Sequence, residues 1–138
     1  MPPNFIIVDD DPVNNLLCEF GIRKFVKDAA IKIFTDPEDA LKNIQEDYAD
    51  PERNIYTILF LDINMPSMTG WEFLDVFENY NTYIRKQFKI FLVSSSVDDR
   101  DKERAGMNSL VSAFLSKPLK ANDIKEILLQ HETDNYIS

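Results

Sequence analysis

YTILFLDINMPSMTGWEFL, residues Tyr56 to Leu74, is continuously apolar from Ile58 to Leu61 and then stops on an aspartate. Four consecutive apolar side chains predict a strand buried on both faces, as in a parallel sheet covered by helices. A carboxylate at the end of such a strand must find water, a cation or hydrogen-bond donors. Ligands of open parallel sheets bind at the carboxyl ends of the strands, so Asp62 marks where chemistry is to be sought.

Working outward, FIIV from Phe5, IFLV from Ile90 and LVSAFL from Leu110 have the same character, with IKIF from Ile31 as a weaker fifth strand. Helical spacing fills the gaps. The first helix follows Pro12, with Val13, Leu16, Leu17 and Phe20 as its apolar stripe and Cys18 as a small buried hydrophobe beside it. The second opens at TDPEDALKNI, where Thr35 and Glu38 have capping-box spacing and Ala40, Leu41 and Ile44 face inward. Thr69 and Glu72 repeat that spacing before Phe73, Leu74 and Phe77 of the third, with Trp71 in its packing. A polar fourth helix starts near Asp99, and the last runs from about Asn122 through Ile124, Ile127 and Leu128 before fraying into a polar tail over 132–138. Alternating strands and helices predict an α/β fold with a parallel sheet covered on both faces. A length of 138 residues suits one domain over 1–138, with a core of about 4–131 and no output domain.

Composition removes several function classes. The net charge of −9 lacks the basic footprint of a nucleic-acid binder or of a protein drawn to anionic membranes. Cys18 is the only cysteine, which excludes an intramolecular disulfide and a CxxC site. No apolar run approaches the roughly 20 residues of a membrane span, and the amino terminus lacks a signal-peptide pattern, so a cytoplasmic location is expected. His131 is the only histidine, outside any cluster and expected to be exposed, which argues against histidine-based metal sites and catalytic triads. With three glycines and no glycine-rich loop after a strand, a nucleotide-binding fold is disfavoured.

The residues that end the predicted strands are Asp9 and Asp10, Asp62, Ser94 and Lys117. Asp11, before Pro12, is assigned to capping the first helix. Three carboxylates brought together repel one another unless a cation sits among them. Magnesium (or manganese) suits an all-oxygen set, with Asp10 and Asp62 as direct ligands and Asp9 acting through a bound water. Lys117 then supplies a point positive charge and Ser94 a hydroxyl, the two groups needed to hold a phosphoryl oxyanion. Asp62 is the candidate nucleophile, already ionised and in need of no general base.

With VDDDP, LDINMPSMTGWEFL, LVSSS and LSKPL in this order, the chain resembles the receiver domain of two-component response regulators over essentially its whole length. The resemblance implies a doubly wound (βα)5 flavodoxin-like three-layer sandwich with five parallel strands in the order 2-1-3-4-5. It implies phosphorylation of Asp62, and Asp9, Asp10 and the backbone carbonyl of Asn64 about the metal. It further implies phosphoryl contact by Lys117 and Ser94, a cis bond between Lys117 and Pro118, a switch made of Ser94 and Phe114, and tuning of dephosphorylation by Asn64 and Ser96. The phosphodonor would be a sensor histidine kinase or a histidine phosphotransfer protein. The output would be a protein contact or a phosphorelay, from a monomer or a phosphorylation-dependent dimer. Three departures stand out. Phe114 lacks a phenolic hydroxyl, the segment from Gly106 to Lys117 is longer than the family's common form, and Lys120 stands where a helix-capping hydroxyl is usual.

Two other functions fit parts of the pattern. A magnesium-dependent phosphatase with an aspartyl nucleophile usually needs a second acid two positions on, and Asn64 occupies that place. A receiver-like binding module that works without phosphorylation would not need all of the expected polar groups.

Overall fold

The computed structural model describes residues 2–96 and 98–137, with side chains described through residue 132. Its elements follow the chain as β1 (Asn4–Val8), α1 (Pro12–Phe25), β2 (Ile31–Phe34), α2 (Pro37–Asp47), β3 (Thr57–Asp62), α3 (Gly70–Glu78), α4 (Thr82–Arg85), β4 (Phe88–Ser94), α5 (Asp99–Gly106), β5 (Val111–Ser116) and α6 (Ala121–Ile137). All neighbouring strands are parallel, in the order β2-β1-β3-β4-β5. This is the expected doubly wound sheet. The continuous apolar runs of β1, β3 and β4 occupy its middle, and every residue of β3 is buried.

Alternation along those strands divides the core in two. Ile6, Val8, Leu59, Leu61, Ile90 and Leu92 pack against Ala40, Leu41 and Ile44 of α2 and Phe73, Leu74 and Phe77 of α3. Phe5, Ile7, Ile58, Phe60, Phe91 and Val93 point the other way, onto Cys18 and Ile22 of α1 and Ile124 and Ile127 of α6. Each fully buried Leu, Ile or Phe contributes about 1.5–3 kcal/mol relative to exposure. The apolar strand interiors therefore bind helices to both faces, and the polar strand ends emerge along one edge.

Several sequence expectations change. In α1 the inward side is Asn15, Cys18 and Ile22, whereas Val13, Leu16, Leu17 and Phe20 are 51–65% exposed. At about 100° per residue the two stripes lie on opposite sides of the helix. At Gly21 the helix comes close to α6: a Cβ there would lie 2.6 Å from Ile124 Cδ1. Asp36, not Thr35, caps α2, accepting from the Glu38 amide. The Thr69–Glu72 capping box of α3 forms in both directions.

Further along, the short α4 has no counterpart in the predicted elements, and its Ile84 joins the α2–α3 side of the core. Between Gly106 and Lys117, β5 carries an irregularity in its pairing with β4. Ile90 pairs with Val111 but Phe91 with Ala113, so Ser112 is bulged out. Lys120 offers no cap; instead the Asp123 carboxylate accepts from the Lys120 amide. Helix α6 continues to Ile137, past the expected fraying point. His131 is buried, its ring 4.4 Å from that of Tyr56. It continues the Ile124–Ile127 stripe at i+7 and i+4, which turns it onto the sheet.

Candidate functional site

Strand register brings the polar ends together. Val8 pairs with Leu61, Asp62 with Val93 and Ser94 with Ser116. The residues just beyond therefore form one row: Asp9 after β1, Asp62 ending β3, Ser94 ending β4 and Lys117 after β5. The backbone N–H of Lys117 donates to the Ser94 carbonyl at 2.9 Å, which ties the lysine to the neighbouring strand end. The Lys117–Pro118 peptide bond is cis.

Carboxylate oxygens of Asp9, Asp10 and Asp62 lie within 4.8 Å of one another. Asp9 and Asp62 are buried and Asp10 is exposed. Lys117 Nζ stands between the two buried acids, 2.6 Å from Asp9 Oδ2 and 3.3 Å from Asp62 Oδ1. The lysine is thus closer to Asp9 than to the residue it was expected to serve. Asp9 Oδ1 also accepts from the Asp11 amide at 2.9 Å, and Asp11 in turn caps α1 by accepting from Val13. Asp62 Oδ1 accepts from the Asn64 amide at 3.2 Å.

Charge balance in this pocket is uneven. Burial, and then the Asp9 charge, push the Asp62 carboxyl up to about 6, against the opposing pull of Lys117 and the Asn64 amide. Burial pulls the Lys117 ammonium down, but the Asp9 and Asp62 carboxylates together outweigh it and its pKa ends up raised. One cation for three acids leaves an excess of negative charge that a second cation would relieve. The donor set is all oxygen, which fits magnesium or manganese and excludes a thiolate site. Cys18, at the side of the crevice, is pushed up to about 12 by burial and then by Asp9, and so stays an inert thiol.

Ser94 is fully buried, and its hydroxyl donates to the Ser96 carbonyl at 2.8 Å while Asn64 Nδ2 approaches it at 3.4 Å. The hydroxyl is thus turned into its own loop. Ser96 and Asn64 are exposed beside it. Phe114 pairs with Leu92 and packs half-buried against the α2–α3 side of the core.

Sequence reasoning missed two features near this row. The crevice above Asp62 is walled by Asn14 and Leu17 of α1 on one side and by Lys117, Pro118 and Leu119 on the other. Beside it, the exposed stripe of α1 forms an apolar shoulder. The second is a contact between α3 and α5: Trp71 Nε1 donates to Asp101 Oδ1 at 3.2 Å and the Arg104 guanidinium lies 4.4 Å above its ring. The i, i+3 pairing of Asp101 and Arg104 on a helix with one buried residue, Ala105, was the available signal. Among the described residues no helix is long and apolar enough to cross a membrane.

The model for the response regulator receiver domain matches residues 5–129. A two-component response regulator from Cytophaga hutchinsonii is 31% identical with a TM-score of 0.81, over 94% of this chain and 98% of that one. A response regulator receiver protein from Dyadobacter fermentans is 26% identical with a TM-score of 0.81, over 92% and 95%. Comparison with curated proteins gives no match.

Proposed function

The chain belongs to the response regulator receiver domain family, signalling modules of two-component systems that work as phosphoaspartate switches, and on that premise we propose that Asp62 is its phosphoacceptor. One observation carries the proposal: Asp62 ends the central strand with Asp9 and Asp10 within 4.8 Å and a lysine ammonium at 3.3 Å. A carboxylate oxygen of Asp62 attacks the phosphorus of a phosphohistidine. The P–O bond forms as the P–N bond breaks, and the electron pair returns to the imidazole nitrogen. Hydrolysis later returns the carboxylate and releases inorganic phosphate. Nothing external is turned over in the ordinary sense of an enzyme.

Asp10, Asp62 and the Asn64 carbonyl would hold magnesium or manganese, with Asp9 acting through a water. When bound, the cation supplies neutralising charge to the phosphoryl oxygens. Lys117 shifts its attraction from the carboxylates to the incoming phosphoryl group. Ser94 must leave the Ser96 carbonyl to reach it, and through the β4–β5 pairing that movement is felt at Phe114. Phe114 responds through packing alone, without a hydroxyl. Asn64 and Ser96, both exposed, would tune the approach of the hydrolytic water.

The phosphodonor is another protein, a sensor histidine kinase or a histidine phosphotransfer protein. The chain's own His131 packs on Tyr56, at the opposite end of β3 from Asp62, about 20 Å away along the strand. The apolar shoulder of Val13, Leu16, Leu17 and Phe20 supports docking of that donor beside the crevice. The output is a protein contact or onward phosphoryl transfer in the cytoplasm, and the net charge of −9 argues against direct nucleic-acid contact.

Intact-protein mass spectrometry after incubation with acetyl phosphate tests the proposal, run with Mg2+, with EDTA and with Asp62→Ala. A single phosphoryl adduct that needs both Mg2+ and Asp62 supports it. The absence of any adduct on the folded, Mg2+-loaded protein would point instead to a binding module that works without phosphorylation.

A further inference from the structure

Asn15 is out of place by composition. It lies in α1 on the sheet-facing side with Cys18 and Ile22, and it is only 3% exposed. A primary amide in that position is costly to bury unless its hydrogen bonds are met. Its Nδ2 donates to the backbone carbonyl of Asp9 at 2.9 Å, a buried bond. Its Oδ1 has no hydrogen-bond partner among the described residues. The side-chain amide is therefore committed to one contact.

The contact falls at a particular place in the backbone. The registers of β1 with β2 and with β3 both end at Val8, so the Asp9 carbonyl lies past the strand ladder. The chain must leave the sheet here and enter α1 at Pro12 within three residues. That carbonyl belongs to the peptide that joins Asp9 to Asp10. Fixing it fixes the plane from which the two carboxylates diverge, one buried against Lys117 and the other exposed. The other end of the same turn is held by the backbone N–H of Asp11 on Asp9 Oδ1 and by the backbone N–H of Asn15 on the Asp11 carbonyl at 3.1 Å.

We propose that Asn15 is a positioning residue for the acidic pair, holding the Asp9–Asp10 peptide so that both carboxylates face a divalent cation beside Asp62. The inference rests on the cation site put forward above. Magnesium demands near-ideal octahedral geometry, so a small rotation of this peptide costs affinity where a flexible site would absorb it. Groups that orient metal ligands from behind are typically worth about 10–100-fold in metal affinity.

The test uses the full chain and MgCl2, with calorimetric titration for affinity and urea unfolding in EDTA for stability. Asn15→Leu, which leaves the Asp9 carbonyl without its donor, is expected to lower the urea midpoint modestly, to stay folded, and to bind Mg2+ at least about 10-fold more weakly. Asn15→Ala, measured in parallel, should show the same loss of affinity even where the leucine does not fit. Ile22→Val, about two turns further along the same buried side, should lower the urea midpoint and leave Mg2+ affinity unchanged. If either folded Asn15 variant binds Mg2+ within twofold of the wild type, Asn15 has no positioning role. If the wild type itself binds no Mg2+, the cation site falls, and the inference with it. The two failures are told apart by the wild-type titration.

Discussion

Replacing Asp62 by asparagine should stabilise the metal-free protein at pH 7.5 and leave it no more stable than the wild type at pH 4. Asparagine keeps the shape of the side chain and the Oδ1 that accepts from the Asn64 amide, and it removes the charge. The Asp62 carboxyl is pushed up from 3.8 to about 6 by burial and by Asp9, with the pull of Lys117 already included. Because the folded-state pKa lies above the unfolded one, the folded protein holds more protons between about pH 4 and 6. Stability is therefore complete below pH 4 and lost as pH rises through about 6. A shift of about two units at ~1.4 kcal/mol each makes the ionised group destabilising by ~3 kcal/mol at pH 7.5. Asp62 is 4% exposed, so solvent does little to screen that charge.

Urea unfolding in EDTA measures the difference. With a slope of roughly 2 kcal/mol per molar, Asp62→Asn should raise the midpoint by ~1–2 M at pH 7.5. Saturating Mg2+ should narrow the gap by stabilising the wild type, by about 2.7 kcal/mol at 100 times its dissociation constant. A wild type as stable as the variant at pH 7.5 in EDTA would refute the reasoning, as would a gap that persists at pH 4.

Four other perturbations test separate parts of the molecule. Lys117→Ala leaves Asp9 and Asp62 facing each other without their cation, and should lower metal-free stability at pH 7.5 by ~3 kcal/mol in the same urea assay, with Mg2+ restoring part of it. Gly70→Ala places a Cβ 2.8 Å from the Asp62 backbone oxygen, so it should lower the unfolding temperature and slow phosphorylation by acetyl phosphate, both by more than a neutral surface change would. Leu16→Glu and Phe20→Glu, at 51% and 64% exposure, should leave stability within about 0.5 kcal/mol and acetyl phosphate labelling unchanged, while abolishing labelling by a phosphorylated histidine donor. Arg104→Ala should red-shift the emission of Trp71, the only tryptophan, and lower stability by about 0.5–1 kcal/mol; an unchanged spectrum would mean that the guanidinium does not cover the ring.

Much of the fold and the acidic row is legible in the sequence. A strand buried on both faces must be apolar at every position, which made β3, β4 and β1 visible as unbroken runs. The capping box of α3 is a local hydrogen-bond pattern and was read correctly at Thr69 and Glu72, whereas at α2 the same spacing misled because Asp36, nearer to Pro37, takes the cap. The switch of His131 from exposed to buried has a similar origin. Its own letter is polar, but its position continues a stripe whose direction only the packed helix reveals.

The sequence by itself marked Asp9, Asp10, Asp62 and Lys117 at the ends of strands, because a charged side chain does not continue a buried apolar run, and marked Ser94 by its place directly after Val93. Tertiary structure alone decided which side of α1 turned inward: the apolar stripe of Val13, Leu16, Leu17 and Phe20 faces out, and the opposite side with Asn15, Cys18 and Ile22 packs where α6 approaches closely at Gly21. It also decided that Lys117 sits nearer Asp9 than Asp62, that Ser94 turns toward Ser96, and that Asn15 lies under the peptide between two acids. These are contacts between side chains and backbone atoms set by packing distance, and no pattern along the chain encodes that distance.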